Sequence, residues 1–384
     1  MAIVFASKGH RVLVHDIDTR ALGLIGDGIM PFMDRGAEPL LKESLQRGNL
    51  LLTSDAKRLA GVPVIVVTIG TPIDQFWNPS PRALMECVEQ MLPYLSESQL
   101  LVLRSTVSPG TTEWLDRHLR SRGCPARVAF CPERVVQGRA VEEVQTLPQL
   151  VSGTTLEAEE QAVQVFSLIA SEIIRLKPRE AEFAKLFCNA YRYIQFAISN
   201  QFFIMANSAG LDYYRILDGM KRSYGRMQDV PGAGFAAGPC LFKDTMQLTA
   251  FCGNEFGLGS TAMRINEGLP LYLVDQITRE YDLPRLTVGL LGMAFKADSD
   301  DPRSSLSYKL KKVLQFRARR VLTTDPFVKG DPDLWPAADV VATSDILILC
   351  APHAAYKGLD LHGKPIIDVW NCLGQGALIG GSKE

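Results

Sequence analysis

The chain has 384 residues, 47% of them hydrophobic and 22% charged, a composition typical of a globular protein long enough for two or three domains. Lys and Arg (41 residues) nearly balance Asp and Glu (42 residues), so the net charge of -1 leaves no basic field that would favour nucleic acid as a partner. Eight cysteines without CxxC pairs argue against disulfides and a metal site, and no run approaches the ~18 apolar residues of a membrane span.

The chain begins with the second half of a predicted βαβ unit. Residues 1–8 have the pattern of the last turns of a helix with Gly9 as its C-cap, and residues 11–18 indicate a buried parallel strand that ends in acid. In a dinucleotide-binding fold, an acidic residue at this position holds the ribose hydroxyls, a role that would fall to Asp16. A strand end in a solvated loop explains Asp16 equally well.

Further predicted strands alternate with helix-patterned segments, which indicates a parallel sheet with right-handed crossovers. These strands span residues 62–69, 99–103, 127–130 and 172–176. Ligands of such sheets gather at the carboxyl ends of the strands, where Thr71, Thr106 and Glu133 fall. Both threonines could instead cap helices or turns.

The pattern changes at residue 180. Residues 180–209 contain no Pro or Gly and carry apolar residues at helical spacing, which predicts one long helix. Lys185 and Asn189 are four residues apart and therefore share a face of that helix. On an amphipathic helix they would ordinarily be solvent-exposed positions, and this alternative stays open. Two further helices are predicted, at residues 212–221 and about 263–281.

A glycine-rich stretch between these two helices, residues 232–248, carries the best candidate nucleophile. Its three glycines let the backbone bend and approach a ligand, and Pro239 and Cys240 stand where a helix could begin. The helix N-terminus and the nearby Lys243 both favour a thiolate over a thiol, which singles out Cys240. The alternative is a buried structural cysteine beside a flexible loop.

Residues 286–292 begin a second parallel α/β unit. Its other predicted elements are a helix at residues 304–316 and strands at residues 320–324, 345–350 and 365–369. The whole chain therefore predicts an α/β protein with two Rossmann-like parallel-sheet domains joined by a central long-helix domain. The predicted domains span residues 1–178, 179–283 and 284–384.

Six motifs follow one another along the chain. They are Gly-His-x-Val-x-x-x-Asp at 9–16, Arg-Ser-Thr-Val-x-Pro-Gly at 104–110, Cys-Pro-Glu-Arg at 131–134, Ala-Glu-Phe-x-Lys-Leu-x-x-Asn-x-Tyr-Arg at 181–192, Gly-Pro-Cys-Leu-x-Lys-Asp at 238–244, and Gly-x-Ala-Phe-Lys at 292–296 with Asp-Pro-Arg-Ser at 301–304. In this order they resemble the nucleotide-sugar 6-dehydrogenase family, which converts UDP-glucose, UDP-N-acetylmannosamine or GDP-mannose to uronic acids.

The resemblance implies an N-terminal domain that binds NAD, a central helical domain through which two chains form a homodimer, and a C-terminal domain that binds the nucleotide sugar, with UDP favoured. It implies a two-step, four-electron oxidation of the C6 alcohol to a carboxylate. A thiolate at Cys240 suits this reaction, because its thiohemiacetal can lose hydride to give a thioester that water cleaves.

The resemblance also implies roles for individual catalytic residues. Lys185 and Asn189 would stabilise the oxyanion of each tetrahedral species. Glu133 would handle water or protons near the thioester, and Asp244 would position a water or act as a base. Thr106 would line the same cleft.

Binding positions follow from the same resemblance. The cofactor positions are Asp16, Thr71, Thr106 and Arg303, and the substrate positions are Glu133, Lys185, Asn189, Phe235, Gly238, Phe295 and Lys296. Phe295 and Lys296 would lie on the uracil or sugar side, with Lys296 near the diphosphate. An ordinary solvated arginine is the alternative for Arg303.

The sequence departs from the family pattern at its front and in the cysteine loop. Family members begin with a strand and Gly-x-Gly-x-x-Gly, and the loss of that central strand would leave unpaired backbone groups on its neighbours. We expect a true start roughly fifteen residues upstream; the alternatives are poor NAD binding or a non-catalytic paralogue that binds only the nucleotide sugar. Ala236 and Ala237 replace glycines common in the family and are expected to restrict positive φ.

The remaining expectations concern the setting of the protein. Residues 1–8 lack the basic region and cleavage site of a signal peptide, and we expect a cytoplasmic protein without a membrane partner.

Overall fold

The computed structural model describes residues 1–71, 80, 82–124 and 126–379, which form two compact units. The first unit comprises residues 1–188 and 250–252, and the second comprises residues 189–249 and 253 onward. The predicted boundaries after residues 178 and 283 divide the chain more finely and stay a prediction. Within the described ranges, no helix combines the length and apolarity needed to cross a bilayer.

The first unit alternates short strands with helices, as predicted. Its helices are α1 (Ala2–Ser7), α2 (Thr19–Gly26), α3 (Ala37–Gln46), α4 (Arg82–Met91), α5 (Thr111–Ser121), α6 (Ala140–Thr146) and α7 (Leu156–Phe166). Its strands are β1 (Val12–His15), β2 (Leu50–Thr53), β3 (Val64–Val67), β4 (Leu100–Leu103), β5 (Arg127–Phe130), β6 (Gln149–Gly153) and β7 (Ile173–Arg175). The sequence did not predict β2 and β6.

Five strands form one sheet in the order β3-β4-β5-β6-β7. The predicted parallel pairing holds for β3, β4 and β5. Strand β6, which the sequence did not predict, pairs antiparallel with β5 and parallel with β7, so the predicted strand β7 runs opposite to β3, β4 and β5. The connection between β5 and β6 spans residues 131–148 and contains the seven-residue α6.

Helices cover both faces of this sheet. All four residues of β4 are buried, and successive side chains point to opposite faces. Leu101 and Leu103 belong to a core with residues of α4 and α5. Leu100 and Val102 belong to a second core with residues of α1 and α7. This layered arrangement confirms a doubly wound α/β fold.

Strands β1 and β2 form a separate, parallel two-stranded sheet. The sequence predicts an interrupted sheet at this point, and hydrogen bonds join neither β1 nor β2 to the five-stranded sheet in the described residues. Hydrophobic contacts connect the two sheets instead. Val12 of β1 and Val64 of β3 both pack against the hydrophobic core that contains Val4 and Phe5 of α1.

The long helix α8 (Pro178–Ser208) runs without a break for 31 residues, which confirms the predicted central helix. The following helices are α9 (Tyr213–Lys221), α10 (Leu241–Phe251), α11 (Gly257–Glu280), α12 (Leu306–Gln315) and α13 (Ala337–Thr343). Short 3₁₀ helices lie at Ala56–Leu59, Leu92–Tyr94, Gly225–Met227, Leu283–Arg285 and Ala354–Gly358. Helix α11 begins six residues before the predicted start, because the buried Gly259 packs against Phe256 despite its low helix propensity.

The second unit contains a four-stranded sheet, in the order β11-β10-β8-β9, in which every pair is parallel. Its strands are β8 (Thr287–Leu291), β9 (Arg320–Thr324), β10 (Ile346–Leu349) and β11 (Ile366–Ile367). All four lie within the predicted ranges. The second Rossmann-like sheet is therefore confirmed.

Asp325 fixes the turn that follows β8. It comes directly after β9, and its carboxylate accepts hydrogen bonds from the backbone N–H groups of Met293 (2.6 Å) and Ala294 (2.9 Å). Its other oxygen accepts from the backbone N–H groups of Phe327 (2.8 Å) and Val328 (2.9 Å). One side chain thus holds the ends of two adjacent strands in register.

The buried His353 connects Asp325 to the same turn. Its Nδ1 accepts a hydrogen bond from the backbone N–H of Asp298 (2.9 Å), so its Nε2 carries the proton and donates to Asp325 (3.1 Å). Burial by itself raises the pKa of Asp325, but hydrogen bonds from His353 and the backbone amides outweigh it and lower the pKa to about 2. Asp325 therefore stays ionised at neutral pH.

We expect Asp325→Asn to reduce the free energy of unfolding by about 2 kcal/mol at pH 7. A carboxyl group whose pKa is lower in the folded chain than in the unfolded chain stabilises the fold at every pH above its pKa in the unfolded chain. This stabilisation disappears as the pH falls from about 4 towards 2, so urea titrations of wild type and variant should converge in that window. The exposed Asp275→Asn is the control and should change stability by less than about 0.5 kcal/mol. A difference between wild type and variant that is as large at pH 2.5 as at pH 7 would contradict this account.

Candidate active site

Cys240 is an exposed thiol at the N-terminus of α10. Its carbonyl accepts a hydrogen bond from the backbone N–H of Asp244 (2.9 Å), so Cys240 is the residue from which the helix starts. The predicted helix start is therefore confirmed, and the alternative of a buried structural cysteine is wrong. A thiol here meets the positive end of the helix dipole.

Asp244 lies one turn into α10 and is 1% exposed. Asn189 donates a hydrogen bond from Nδ2 to Asp244 Oδ2 (2.5 Å), and Nζ of Lys243 lies 2.9 Å from Asp244 Oδ1. Burying a carboxyl group without such partners would be costly. The structure thus brings together two of the residues that the sequence analysis assigned to catalysis.

Asn189 and Lys185 occupy neighbouring turns of α8. Asn189 is 6% exposed, so the interpretation that it is a solvent-exposed surface position is wrong. Lys185 is half-buried. An ammonium and an amide on one helix face supply hydrogen-bond donors of the kind that stabilise an oxyanion.

The loop before Cys240 packs closely against the second sheet's loops. A Cβ on Gly238, whose φ is +102°, would come within 2.5 Å of the Phe295 ring. Phe235 is 5% exposed and meets Trp370 edge to face, with ring centroids 6.5 Å apart. The structure therefore places Phe235 in the core beneath the loop, and its contact with a substrate stays a prediction.

The two alanines of this loop fit without strain. In the segment 231–240, positive φ occurs at Gly234 and Gly238 but not at Ala236 or Ala237. Ala236 is buried beside Tyr193. The expected restriction of φ therefore has no consequence at these two positions.

Lys296 and Arg303 follow the turn that Asp325 holds. Lys296 Nζ lies 5.9 Å from the centroid of the Phe295 ring. Arg303 donates to both carboxylate oxygens of Asp301, with Nη2 2.7 Å from Oδ2. This hydrogen bonding raises the pKa of Arg303, and the charge of Cys240 adds a smaller contribution. Arg303 thus lies within electrostatic range of the candidate nucleophile.

The predicted cofactor positions of the first unit lie at the carboxyl ends of its strands. Thr71 donates a hydrogen bond from Oγ1 to the carbonyl of Thr106 (2.6 Å), which brings these two predicted positions together. Thr106 does not cap α5, because the N-cap residue is Gly110. Asp16 is exposed directly after β1. An exposed carboxylate here fits the ribose hydroxyls of a dinucleotide.

Glu133 is held by four hydrogen-bond donors. Its Oε2 accepts from Nε (3.0 Å) and Nη2 (2.7 Å) of the buried Arg104, and its Oε1 accepts from the backbone amides of Arg134 and Val135. Burial by itself raises the pKa of Glu133, but Arg104 and the Val135 amide outweigh it, and the pKa is lowered. Glu133 is therefore a fixed carboxylate and a weak base.

Sequence reasoning missed the buried Glu182 of α8. It accepts hydrogen bonds from the backbone N–H groups of Gly110 (2.5 Å) and Thr112 (2.8 Å) and from the Thr112 hydroxyl (2.6 Å). Glu182 thereby satisfies the N-terminus of α5, which follows the Arg-Ser-Thr motif. The signal available in the sequence was its place three residues before Lys185, on the same side of the helix.

Sequence reasoning also missed Asn200 and Asn266, both of which are 0% exposed. The spacing of Asn189, Asn200 and Asn207 places all three within about 20° of one another around a helix. An asparagine row on one face of a helix rich in apolar residues is the pattern that could have found Asn200.

Three domain profiles of one family match the chain in order. The NAD binding domain of the UDP-glucose/GDP-mannose dehydrogenase family matches residues 1–169, the central domain matches residues 179–268, and the UDP binding domain matches residues 289–375. These matches cover most of the chain.

Individual proteins agree over nearly the full length. The UDP-N-acetyl-D-mannosamine dehydrogenase of Pyrococcus horikoshii is 28% identical over 391 residues, covering 97% of this chain and 92% of the relative. The NDP-N-acetyl-D-galactosaminuronic acid dehydrogenase of Ralstonia nicotianae is 25% identical over 395 residues, covering 96% and 92%. A solved UDP-glucose dehydrogenase from Pyrobaculum islandicum has a TM-score of 0.88 at 27% identity, covering 96% of this chain and 90% of its own. The chain therefore belongs to the UDP-glucose/GDP-mannose dehydrogenase family of nucleotide-sugar oxidoreductases, with NAD as cofactor.

Proposed function

We propose that this protein oxidises the C6 hydroxyl of a UDP-linked sugar to the carboxylate, in two steps and with four electrons, through a covalent intermediate on Cys240. The observation that carries the proposal is the exposed thiol at the start of α10, one turn before an Asp244 that is hydrogen-bonded to Asn189. A protein that only binds nucleotide sugar has no use for this combination.

In the first unit, the cofactor would be held by Asp16, Thr71 and Thr106. The Asp16 carboxylate would bind its ribose hydroxyls. Arg303 is the fourth proposed cofactor position. Bound NAD supplies the hydride acceptor for both oxidations. The chain's own residues must bind the sugar, form and break the carbon–sulfur bond, and manage protons.

The first covalent step is the addition of the Cys240 thiolate to the C6 aldehyde. The sulfur–carbon bond forms, and the carbonyl π electrons move to oxygen as an oxyanion. Lys185 would stabilise this charge together with Asn189, which uses one amide hydrogen for Asp244 and has a second for the oxyanion. After the second oxidation C6 is a thioester.

Hydrolysis of the thioester releases the product. Water attacks C6, the carbon–sulfur bond breaks, and Cys240 leaves as a thiolate, which restores the starting enzyme. Asp244 would position this water or accept its proton. Glu133 would orient water as a hydrogen-bond acceptor, since its lowered pKa suits a permanent carboxylate.

Substrate recognition is assigned to the turn after β8 and to the cysteine loop. Lys296 would pair with the diphosphate, and Phe295 would contact the uracil or the sugar. Gly238 would allow close approach of the loop backbone. The names of the relatives suggest UDP-N-acetylmannosamine and UDP-glucose as the first substrates to test.

Cys240→Ser should reduce uronate formation by about 10³-fold or more, because a serine hydroxyl at this position is not ionised and is a weaker nucleophile. Wild type should form two NADH per sugar, measured by absorbance together with mass spectrometry of the sugar product. The control is Cys252→Ser, an exposed thiol just beyond the opposite end of α10, which should retain full activity.

Normal uronate formation by Cys240→Ser would refute the covalent mechanism. A wild-type protein that binds UDP-sugar but never reduces NAD would identify the chain as the non-catalytic alternative.

We also propose that two chains associate through α8. Five large apolar side chains on this helix are 41–63% exposed: Phe187, Tyr191, Ile198, Phe202 and Met205. Their spacing places them within an arc of about 60°, which makes one continuous stripe. A contiguous exposed apolar stripe marks an interface, and a two-fold symmetric pair buries the same stripe on both chains.

Ile198→Glu should convert the dimer to a monomer, because it puts a charge near the middle of the stripe while glutamate keeps high helix propensity. Light scattering after size exclusion should give twice the chain mass of 42.3 kDa for wild type and the single mass for the variant. The control is Phe316→Glu, a 90% exposed side chain away from α8, which should leave the mass unchanged. A dimeric Ile198→Glu protein would exclude this stripe as the interface.

A further inference from the structure

The side-chain amide of Asn200 pairs with both backbone polar groups of Gly234, in the loop that leads to Cys240. Asn200 Nδ2 donates to the Gly234 carbonyl (3.0 Å), and the Gly234 N–H donates to Asn200 Oδ1 (2.8 Å). Asn200 belongs to α8 and is 0% exposed. The loop thus receives from a side chain the two bonds that a neighbouring strand would otherwise supply.

Asn266 of α11 sets the orientation of that amide. Its Oδ1 accepts a hydrogen bond from Asn200 Nδ2 (2.9 Å), and its Nδ2 donates to the carbonyl of Tyr193 (3.0 Å). A flipped Asn200 amide would place its oxygen against two other oxygens. The hydrogen bonds that run from Asn266 to Tyr193, from Asn200 to Asn266 and from Asn200 to Gly234 therefore permit only one orientation of the Asn200 amide.

The Trp370 ring packs directly against Gly234. The φ of Gly234 is +150°, and a Cβ there would lie 2.3 Å from the Trp370 ring. A second attachment follows at Gly238, whose N–H donates to the carbonyl of Ser304 (3.3 Å). The loop is thus held at two points four residues apart, and Cys240 comes two residues after the second.

We propose that Asn200 is a positioning residue that holds the Cys240 thiol at the N-terminus of α10. The inference rests on the proposed role of Cys240 as nucleophile. Without the Asn200 amide, the buried N–H and carbonyl of Gly234 lose their partners, and the loop gains freedom to leave this position. The thiol then loses its fixed place at the N-terminus of α10. That place favours the thiolate over the thiol, because the N-terminus of a helix is partly positive.

Asn207 provides a matched control on the same helix. It pairs with Ile379 as Asn200 pairs with Gly234: Asn207 Nδ2 donates to the Ile379 carbonyl (3.0 Å), and the Ile379 N–H donates to Asn207 Oδ1 (2.7 Å). Asn207 Nδ2 also donates to the Tyr272 hydroxyl (2.9 Å). Both asparagines are buried and make the same number of side-chain hydrogen bonds, but the hydrogen bonds of Asn207 go to Ile379 and Tyr272 and not to the cysteine loop.

The test compares Asn200→Ala with Asn207→Ala in the full chain. The first readout is the rate of Cys240 alkylation by iodoacetamide across pH 6–10, followed by peptide mass spectrometry without substrate or cofactor. The second is kcat and KM with UDP-sugar, and the third is the melting temperature. We expect both variants to melt at similarly reduced temperatures, because each loses the same bonds.

Only Asn200→Ala should move the alkylation profile to higher pH and reduce kcat by about tenfold or more, with KM changed much less. Equal alkylation profiles for the two variants, or a wild-type profile for Asn200→Ala, would overturn the inference. If Asn200→Ala does not fold, Asn200→Ser takes its place in the same comparison, because its hydroxyl can restore one of the two bonds.

The alkylation readout separates this inference from the proposed function. A wild-type protein whose Cys240 reacts faster than Cys252 but which forms no uronate would refute the proposed activity, and the Asn200 comparison would still be decided by the alkylation profiles. Selective loss of Cys240 reactivity in Asn200→Ala would then support the positioning role by itself.

Discussion

The loop that carries Cys240 is largely buried, and the second unit depends on giving the polar groups of that loop's backbone hydrogen-bond partners. A backbone N–H or carbonyl shielded from water costs about 1–3 kcal/mol when it has no partner, so a buried irregular loop must find donors and acceptors in its surroundings. At Gly234 the side chain of Asn200 supplies both. The loop is glycine-rich because Trp370 and Phe295 leave no room for side chains at two of its positions.

The two sides of helix α8 differ, which suits both of the roles proposed for it. One side carries Asn189, Asn200 and Asn207, whose amides pair with buried groups of the second unit. The exposed apolar stripe begins at Phe187, which lies about 200° around the helix from Asn189. A 31-residue helix with this division can fix catalytic side chains and present an association surface at the same time.

Charged side chains at the ends of the strands, each with at least one buried partner, are paired in both units. Arg104 neutralises Glu133 after β5, and His353 with four backbone amides holds Asp325 after β9. Each pair sits in a loop that carries or adjoins a candidate site residue. Isolated, such charges would be costly to bury, so the pairing is what allows polar loops to remain ordered at the carboxyl ends of parallel strands.

Much of the fold could be predicted from the sequence because its signals are local. Strands β5 and β9 match their predicted bounds, and α8 differs from its prediction by two residues at its start and one at its end. Strand β6 was not predicted, and its antiparallel direction relative to β5 depends on long-range pairing that has no local signature. The early start of α11 was missed because the packing of Gly259 overrides its propensity.

For the candidate site, too, local patterns in the sequence predicted some features and left others undetermined. Motif order indicated the family, the NAD cofactor and the residue types, because chemistry restricts which side chains can serve as nucleophile and oxyanion donor. Spacing along one helix also placed Lys185 and Asn189 on a shared face. What only the tertiary structure decided is which polar groups meet. Asn200 and Gly234 are 34 residues apart and Asn189 and Asp244 are 55 apart, and such pairs depend on how helices and loops pack, which no local pattern encodes.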